Sequence, residues 1–241
     1  MFVLYRPHHD PVPNWTPPPA PDNTLVLEGA YCRLEPLVAE THAALLYRVY
    51  VGQDHVWDYL PYGPFSSSSQ YHRWMRESEH DDTVEFYAIR NKVSGAYEGV
   101  ASYLRIAPDA GSIEVGHINF SPAMQKTRAG TEALYLMMAW AFEAGYRRFE
   151  WKCDALNQGS RRAAQRLGLS YEGVFRQASV VKGRNRDTAW FAAIDREWPG
   201  LKEAFRVWLD PSNFDSAGGQ KERLSDLTQL VRAAEDPSLI G

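Results

Sequence analysis

Cysteine is scarce: the 241-residue chain has two, Cys32 and Cys153, far apart, in strand-like contexts, with no C-x-x-C spacing and no histidine cluster beside them. That excludes a disulfide-stapled scaffold and a thiolate zinc site, and it points to reduced core thiols. Long apolar runs are missing, so no membrane span is expected, and the N-terminus MFVLYRPHHDPVPNW lacks the charged lead and apolar stretch of a signal peptide. A cytoplasmic location follows as the expectation. Basic excess is also missing. With 26 Lys and Arg against 30 Asp and Glu, a net charge of −4, no global positive field favours a nucleic acid partner. The pair His8-His9 has no third ligand at useful spacing, so no metal is expected. Internal repeats are absent.

What is present is enough apolar material, 44% of residues, for one sizeable core. Prolines crowd positions 7 to 21, which predicts an extended arm over 1–24. Residues 25–37 alternate as a strand pair turning at Glu28-Gly29, and Thr41 is placed to cap a first helix. Ser66 to Ser69 precede a second helix. EFYAIRN, AYEGVASYLRIAP and SIEVGHINF then read as successive antiparallel strands. A helix over 128–144 stops at Gly145, a strand covers 149–155, and a helix over 159–167 stops at Gly168. Strands over 171–181 and 187–194 follow. This order predicts an α/β (α+β) domain over 25–200, with a central mixed, mostly antiparallel sheet and helices on both faces. Residues 201–241 read as a helical extension holding a mobile loop, SNFDSAGGQ, between two helices.

The most informative stretch is IEVGHINFSPAMQKTRAGTEA, residues 113–133, where strand, basic turn and helix succeed one another without a gap. Such a junction aims backbone N–H groups and a helix dipole at one spot, which suits a phosphate. Gln125-Lys126-Thr127-Arg128-Ala129-Gly130 resembles the Q/R-x-x-G-x-G/A pyrophosphate loop of the GNAT superfamily of acetyl-CoA-dependent N-acetyltransferases, with Arg128 standing where the first glycine is expected. Downstream, Asn157 to Gly173 resembles N-x-x-S-x-x-A-x-x-L-G-F-x-x-E-G of the branch that includes the ribosomal-protein alanine N-acetyltransferases, with Leu169 in place of Phe. Residues 56–65, VWDYLPYGPF, resemble that branch's aromatic loop between the first two helices.

The resemblance implies a GNAT fold and acetyl-CoA as co-substrate, with no metal. It implies coenzyme contacts from the backbone of Ile118, Asn119 and Phe120, from the loop Gln125, Lys126, Thr127, Arg128, Ala129, Gly130 and Thr131, and from Asn157 and Ser160. Glu114 stands at the position that carries a general base in some members. The alternative is a solvated or ion-paired strand residue. Ser160 is the candidate proton donor to the leaving thiolate, or else a helix cap. His117 is a second candidate base, or a residue lining the wall. Trp57, Tyr59, Tyr62 and Phe65 are candidates for a substrate-gripping wall, or a lid over the core, whereas Trp140, Trp151, Trp190 and Trp198 read as core. The expected acceptor is a primary amine on a small molecule or a peptide or protein N-terminus, attacked directly in a ternary complex. A homodimer is left open. The rival reading is a coenzyme-binding sensor or interaction module that does not turn over.

Overall fold

A computed structural model describes residues 12–239; the His8-His9 pair and the start of the proline arm lie outside it. Eight strands form one sheet in the order β1-β2-β3-β4-β5-β6-β8-β7. They are β1 (Leu27–Glu28), β2 (Cys32–Pro36), β3 (Val84–Asn91), β4 (Tyr97–Ala107), β5 (Ser112–Phe120), β6 (Arg148–Asp154), β7 (Ser170–Val181) and β8 (Arg184–Ile194). Every pairing is antiparallel except β5 with β6, which are joined through the crossover helix α3 (Arg128–Glu143).

Strand alternation decides which layer each residue joins. Phe86, Ala88 and Val100 face one side, where α1 (Ala39–Tyr50) and α2 (Ser68–Glu79) pack with Leu46, Tyr50, Trp57, Tyr71 and Met75. Their neighbours Tyr87, Ile89, Ala101 and Tyr103 face the other side, against Met137, Met138 and Phe142 of α3. The same layer holds α4 (Gln158–Arg166) and α5 (Trp198–Leu209). With both faces covered, β3 and β4 carry nearly continuous apolar runs. Among the described residues no helix is long and apolar enough to cross a membrane.

Two local expectations are revised. Thr41 does not cap α1. The helix starts at Ala39, whose N–H donates to Glu79 Oε2 at 2.9 Å, while the Val38 N–H donates to His42 Nδ1 at 2.9 Å. A carboxylate at the far end of α2 thus supplies what a local hydroxyl was expected to supply. The SNFDSAGGQ segment is a pinned turn: buried Asn213 donates to the Trp208 and Glu222 carbonyls, and Phe214 pairs with Gln220. The extension also reaches past α6 (Leu224–Gln229) to lock onto α4, where Arg161 forms a bidentate pair with buried Asp236 at 2.6 and 2.7 Å.

Candidate active site

The parting of two central strands builds the site. β5 pairs with β6 only from Ser112–Arg148 to Val115–Trp151. Beyond that, β5 follows β4 to Phe120, and β6 follows β8 to Asp154. The divergence has a local cause. His117 and Ile118 together oppose the single residue Ala101, and His117 adopts a φ of 49°, a bulge that sharpens the twist of β5. The opening is a cavity of about 1510 Å³, with Gly116, His117, Ile118 and Phe120 on one wall and Lys152, Cys153 and Asp154 on the other.

The turn from β5 to α3 closes one end. Thr127 is the N-cap of α3; its Oγ1 accepts from the Gly130 N–H at 3.1 Å and donates to the Met124 carbonyl at 2.7 Å. Gln125 Nε2 donates to the Phe120 carbonyl at 3.0 Å, tying the loop to the strand. Lys126 takes the left-handed turn, with φ 60°. Arg128 is already helical, so the position expected to be glycine needs no positive φ. Gly130 is needed for another reason: a Cβ there would stand 2.7 Å from the Met124 carbonyl oxygen. Ala129 is buried beneath the turn, and Thr131 Oγ1 donates to the Thr127 carbonyl at 3.0 Å. Among the described residues, the amides of Lys126, Arg128 and Ala129 have no hydrogen-bond partner. The side chains of Lys126, Arg128, Arg162 and Arg166 line the same cavity, and none has a carboxylate partner among the described residues. Free amides at a helix start, a dipole and unneutralised cations make this end an anion site.

Midway along the cleft, Asn157 caps α4 by accepting from the Ser160 N–H at 3.0 Å, which leaves its NH2 group for a ligand. Ser160 is therefore not the cap. Its Oγ accepts from the Trp151 indole at 2.9 Å, so its own proton remains available to donate. Cys153 also lines the cavity; burial pushes its thiol up to about 11, against an opposing pull from the Ser160 hydroxyl. Such a thiol is not a nucleophile at neutral pH.

At the other end, Glu114 is 3% exposed and sits 2.7 Å from both Arg105 Nη1 and Lys152 Nζ. Burial raises its pKa, and the two cations pull against that rise. Lys152 also lies over the Trp190 ring at 3.8 Å. His117 stacks on Tyr62, with Nδ1 3.0 Å from the Tyr62 hydroxyl, and burial lowers its pKa to about 4, so the ring is neutral at pH 7.

The four-aromatic wall is corrected by packing. Trp57 is 3% exposed and packs edge-on against Tyr50, Tyr71 and Phe65, so Trp57 and Phe65 belong to the core under the loop. Tyr62 reaches the cavity only through His117. Of the four, Tyr59 lines it, with Leu60 and Pro61 beside it. Trp190, expected in the core, lines the cavity together with Phe175, and Trp151 joins them at its edge. Asn119 points away from the cleft; its carbonyl accepts from Tyr50 at 2.6 Å. Arg166 and the segment around Phe214 are wall residues that no local pattern singled out, because only the packing of α5 on α3 and of α6 on α4 brings them together.

A profile of the acetyltransferase (GNAT) domain matches residues 32–170. A GCN5-related N-acetyltransferase from Brucella melitensis is 43% identical, with a TM-score of 0.87 over 90% of this chain and 99% of that one. A probable GNAT-family acetyltransferase from Chromobacterium violaceum is 39% identical, with a TM-score of 0.76 over 80% of this chain and 98% of that one. A Salmonella typhimurium enzyme that modifies the N-terminal serine of ribosomal protein L7/L12 shares the fold, at 20% identity and a TM-score of 0.61 over 70% of this chain and 99% of that one. No curated protein matches the sequence.

Proposed function

The chain belongs to the GNAT acetyltransferase family, and from that premise we propose that it transfers an acetyl group from acetyl-CoA to a primary amine within a ternary complex. The observation that carries this reading is the parting of β5 from β6, which opens the backbone at Gly116–Phe120 to a cavity ending at free amides and unpaired cations. The pyrophosphate takes the amides of Lys126, Arg128 and Ala129. The pantetheine runs past Asn157, and the thioester lies along Ile118 to Phe120 within reach of Ser160. Backbone donors there polarise the carbonyl, and Ser160 supplies the proton to the departing thiolate. The protonated, buried Cys153 thiol supports direct attack by the amine rather than an acetyl-cysteine intermediate.

Glu114 is the proton acceptor for the amine in this reading; burial raises its pKa against the pull of Arg105 and Lys152, but a carboxylate paired with two cations remains a far weaker base than an amine. That limits the acceptor. An α-amine of pKa about 8 reaches its free base at pH 7 far more readily than a lysine of about 10.4. The acceptor class is therefore α-amines, or other amines of low pKa. Competition at pH 7 between peptides with free α-amines, N-blocked peptides carrying lysine, and small amines tests this. Acetylation mainly on lysine would sink it. The non-catalytic sensor reading drew on Arg128 at the glycine position and loses that support, since Arg128 sits in helical backbone.

A further inference from the structure

Residues 208–220 lie outside the stretch that matches the family profile, yet they wall the same cavity through Trp208, Phe214, Gly218, Gly219 and Gln220. We infer that this C-terminal segment forms the binding wall for the phosphorylated adenosine end of coenzyme A, with Phe214 and Trp208 holding Arg128 and Arg166 as its phosphate ligands. The inference rests on the acetyl-CoA reading above and goes beyond it in assigning the nucleotide end to the extension.

The guanidinium of Arg128 lies between two rings, 4.8 Å from the Tyr31 centroid and 4.5 Å from that of Phe214. That of Arg166 lies 4.8 Å from the Trp208 centroid. Rings cover the faces of a guanidinium and leave its in-plane N–H edge for an anion. Those edges are barely used. Arg128 reaches the Tyr31 hydroxyl at 3.4 Å, and Arg166 reaches Thr131 Oγ1 at 3.2 Å. Neither has a carboxylate partner among the described residues. With Lys126 and Arg162 also on the cavity wall and without a carboxylate partner among the described residues, the four cations at this end outnumber the two phosphates of a diphosphate. A 3′-phosphate monoester adds about −1.5 to −2 at neutral pH.

The segment is built to hold this position. Trp208 Nε1 donates to Gln220 Oε1 at 2.7 Å, Lys221 N–H donates to the Asn213 carbonyl at 2.8 Å, and Asp215 Oδ1 accepts from the amides of Ala217 and Gly219. The placement is consistent: Asn157 and Ser160 lie midway along the cleft, and Phe214 and Trp208 stand against Arg128 and Arg166 at the end that carries the free amides.

The test is calorimetric titration of the full chain with coenzyme A, 3′-dephospho-coenzyme A and 4′-phosphopantetheine. Wild type is expected to bind coenzyme A more tightly than either truncated probe. Phe214→Ala should weaken coenzyme A roughly tenfold and leave 4′-phosphopantetheine unchanged. Equal loss on all three probes, or no loss on coenzyme A, overturns the inference. Hydrogen exchange on the wild-type chain gives a readout that needs no variant. Coenzyme A should slow exchange over 212–221 and 4′-phosphopantetheine should not; equal slowing, or none, again overturns it. If wild type binds 4′-phosphopantetheine as tightly as coenzyme A, the nucleotide wall falls while the acetyl-CoA reading stands, whereas no binding of any probe refutes that reading itself.

Discussion

Replacing Gly130 with alanine should damage the coenzyme site through one atom. Gly130 has helical backbone, so the added methyl costs nothing in φ; it would stand 2.7 Å from the Met124 carbonyl oxygen and 3.4 Å from the Phe120 ring. The carbonyl cannot simply retreat, because Thr127 Oγ1 donates to it while capping Gly130. Relief therefore pushes α3 away from the turn and loosens the cap. Overpacking of this kind costs about 1–3 kcal/mol, a weakened cap up to about 1 more, and the better helix propensity of alanine returns about 1. The net loss is about 0–3 kcal/mol, a fall in Tm of up to roughly 10 °C for a chain of this size. Coenzyme A affinity should drop at least about tenfold, the worth of one misplaced charge-assisted hydrogen bond. Scanning calorimetry and titration with coenzyme A measure both. Gly159→Ala is the stability control, since a Cβ there meets only Asn157 Oδ1 at 3.5 Å. A Gly130→Ala protein that melts with wild type and binds coenzyme A equally well would refute the close-approach argument.

Ser160→Ala should lower kcat by about 10- to 100-fold with little change in coenzyme affinity, because a proton donor matters in the transition state; the roughly 1 kcal/mol of lost stability comes from the stranded Trp151 indole N–H rather than from a cap. Arg161→Ala strands Asp236, which is 0% exposed, and should cost about 3–5 kcal/mol in denaturant melts, while the double replacement Arg161→Met with Asp236→Leu recovers most of it. His117 is held below its ordinary pKa, at about 4, so the unfolded chain binds the extra proton first; stability is full above about 6.5 and declines as pH falls from there towards about 4. His117→Asn, a residue that tolerates the positive φ, should flatten that slope in melts run between those limits, and an unchanged slope would assign it to other groups.

Much of the fold is legible along the chain because its causes are local. The antiparallel strands announce themselves by alternation, Gly145 and Gly168 stop their helices with φ of 102° and 93°, and the phosphate turn is written in contiguous residues from Gln125 to Thr131. The failures are those in which a distant group decides. Thr41 has the chemistry of a cap, but Glu79 reaches the helix start first. Trp57 sits among prolines and glycines, as an exposed loop residue would, and is buried because α1 and α2 bring Tyr50 and Tyr71 against it.

Charge shows the same division with a sharper consequence. Residue types place Glu114, Arg105, Lys152, Arg128 and Arg166 in the chain, but not which of these charges is already spent. Packing pairs Glu114 with Arg105 and Lys152, and Lys152 in turn with Glu150, so the cations at that end of the cleft are already matched by carboxylates. Packing leaves Arg128 and Arg166 covered by aromatic faces and without a carboxylate partner among the described residues, so the opposite end stays positive. In the proposed reaction a polyanionic carrier is thereby drawn to one end, leaving the other to the acceptor. On that reading the asymmetry of charge sets the direction in which the carrier lies along the cleft.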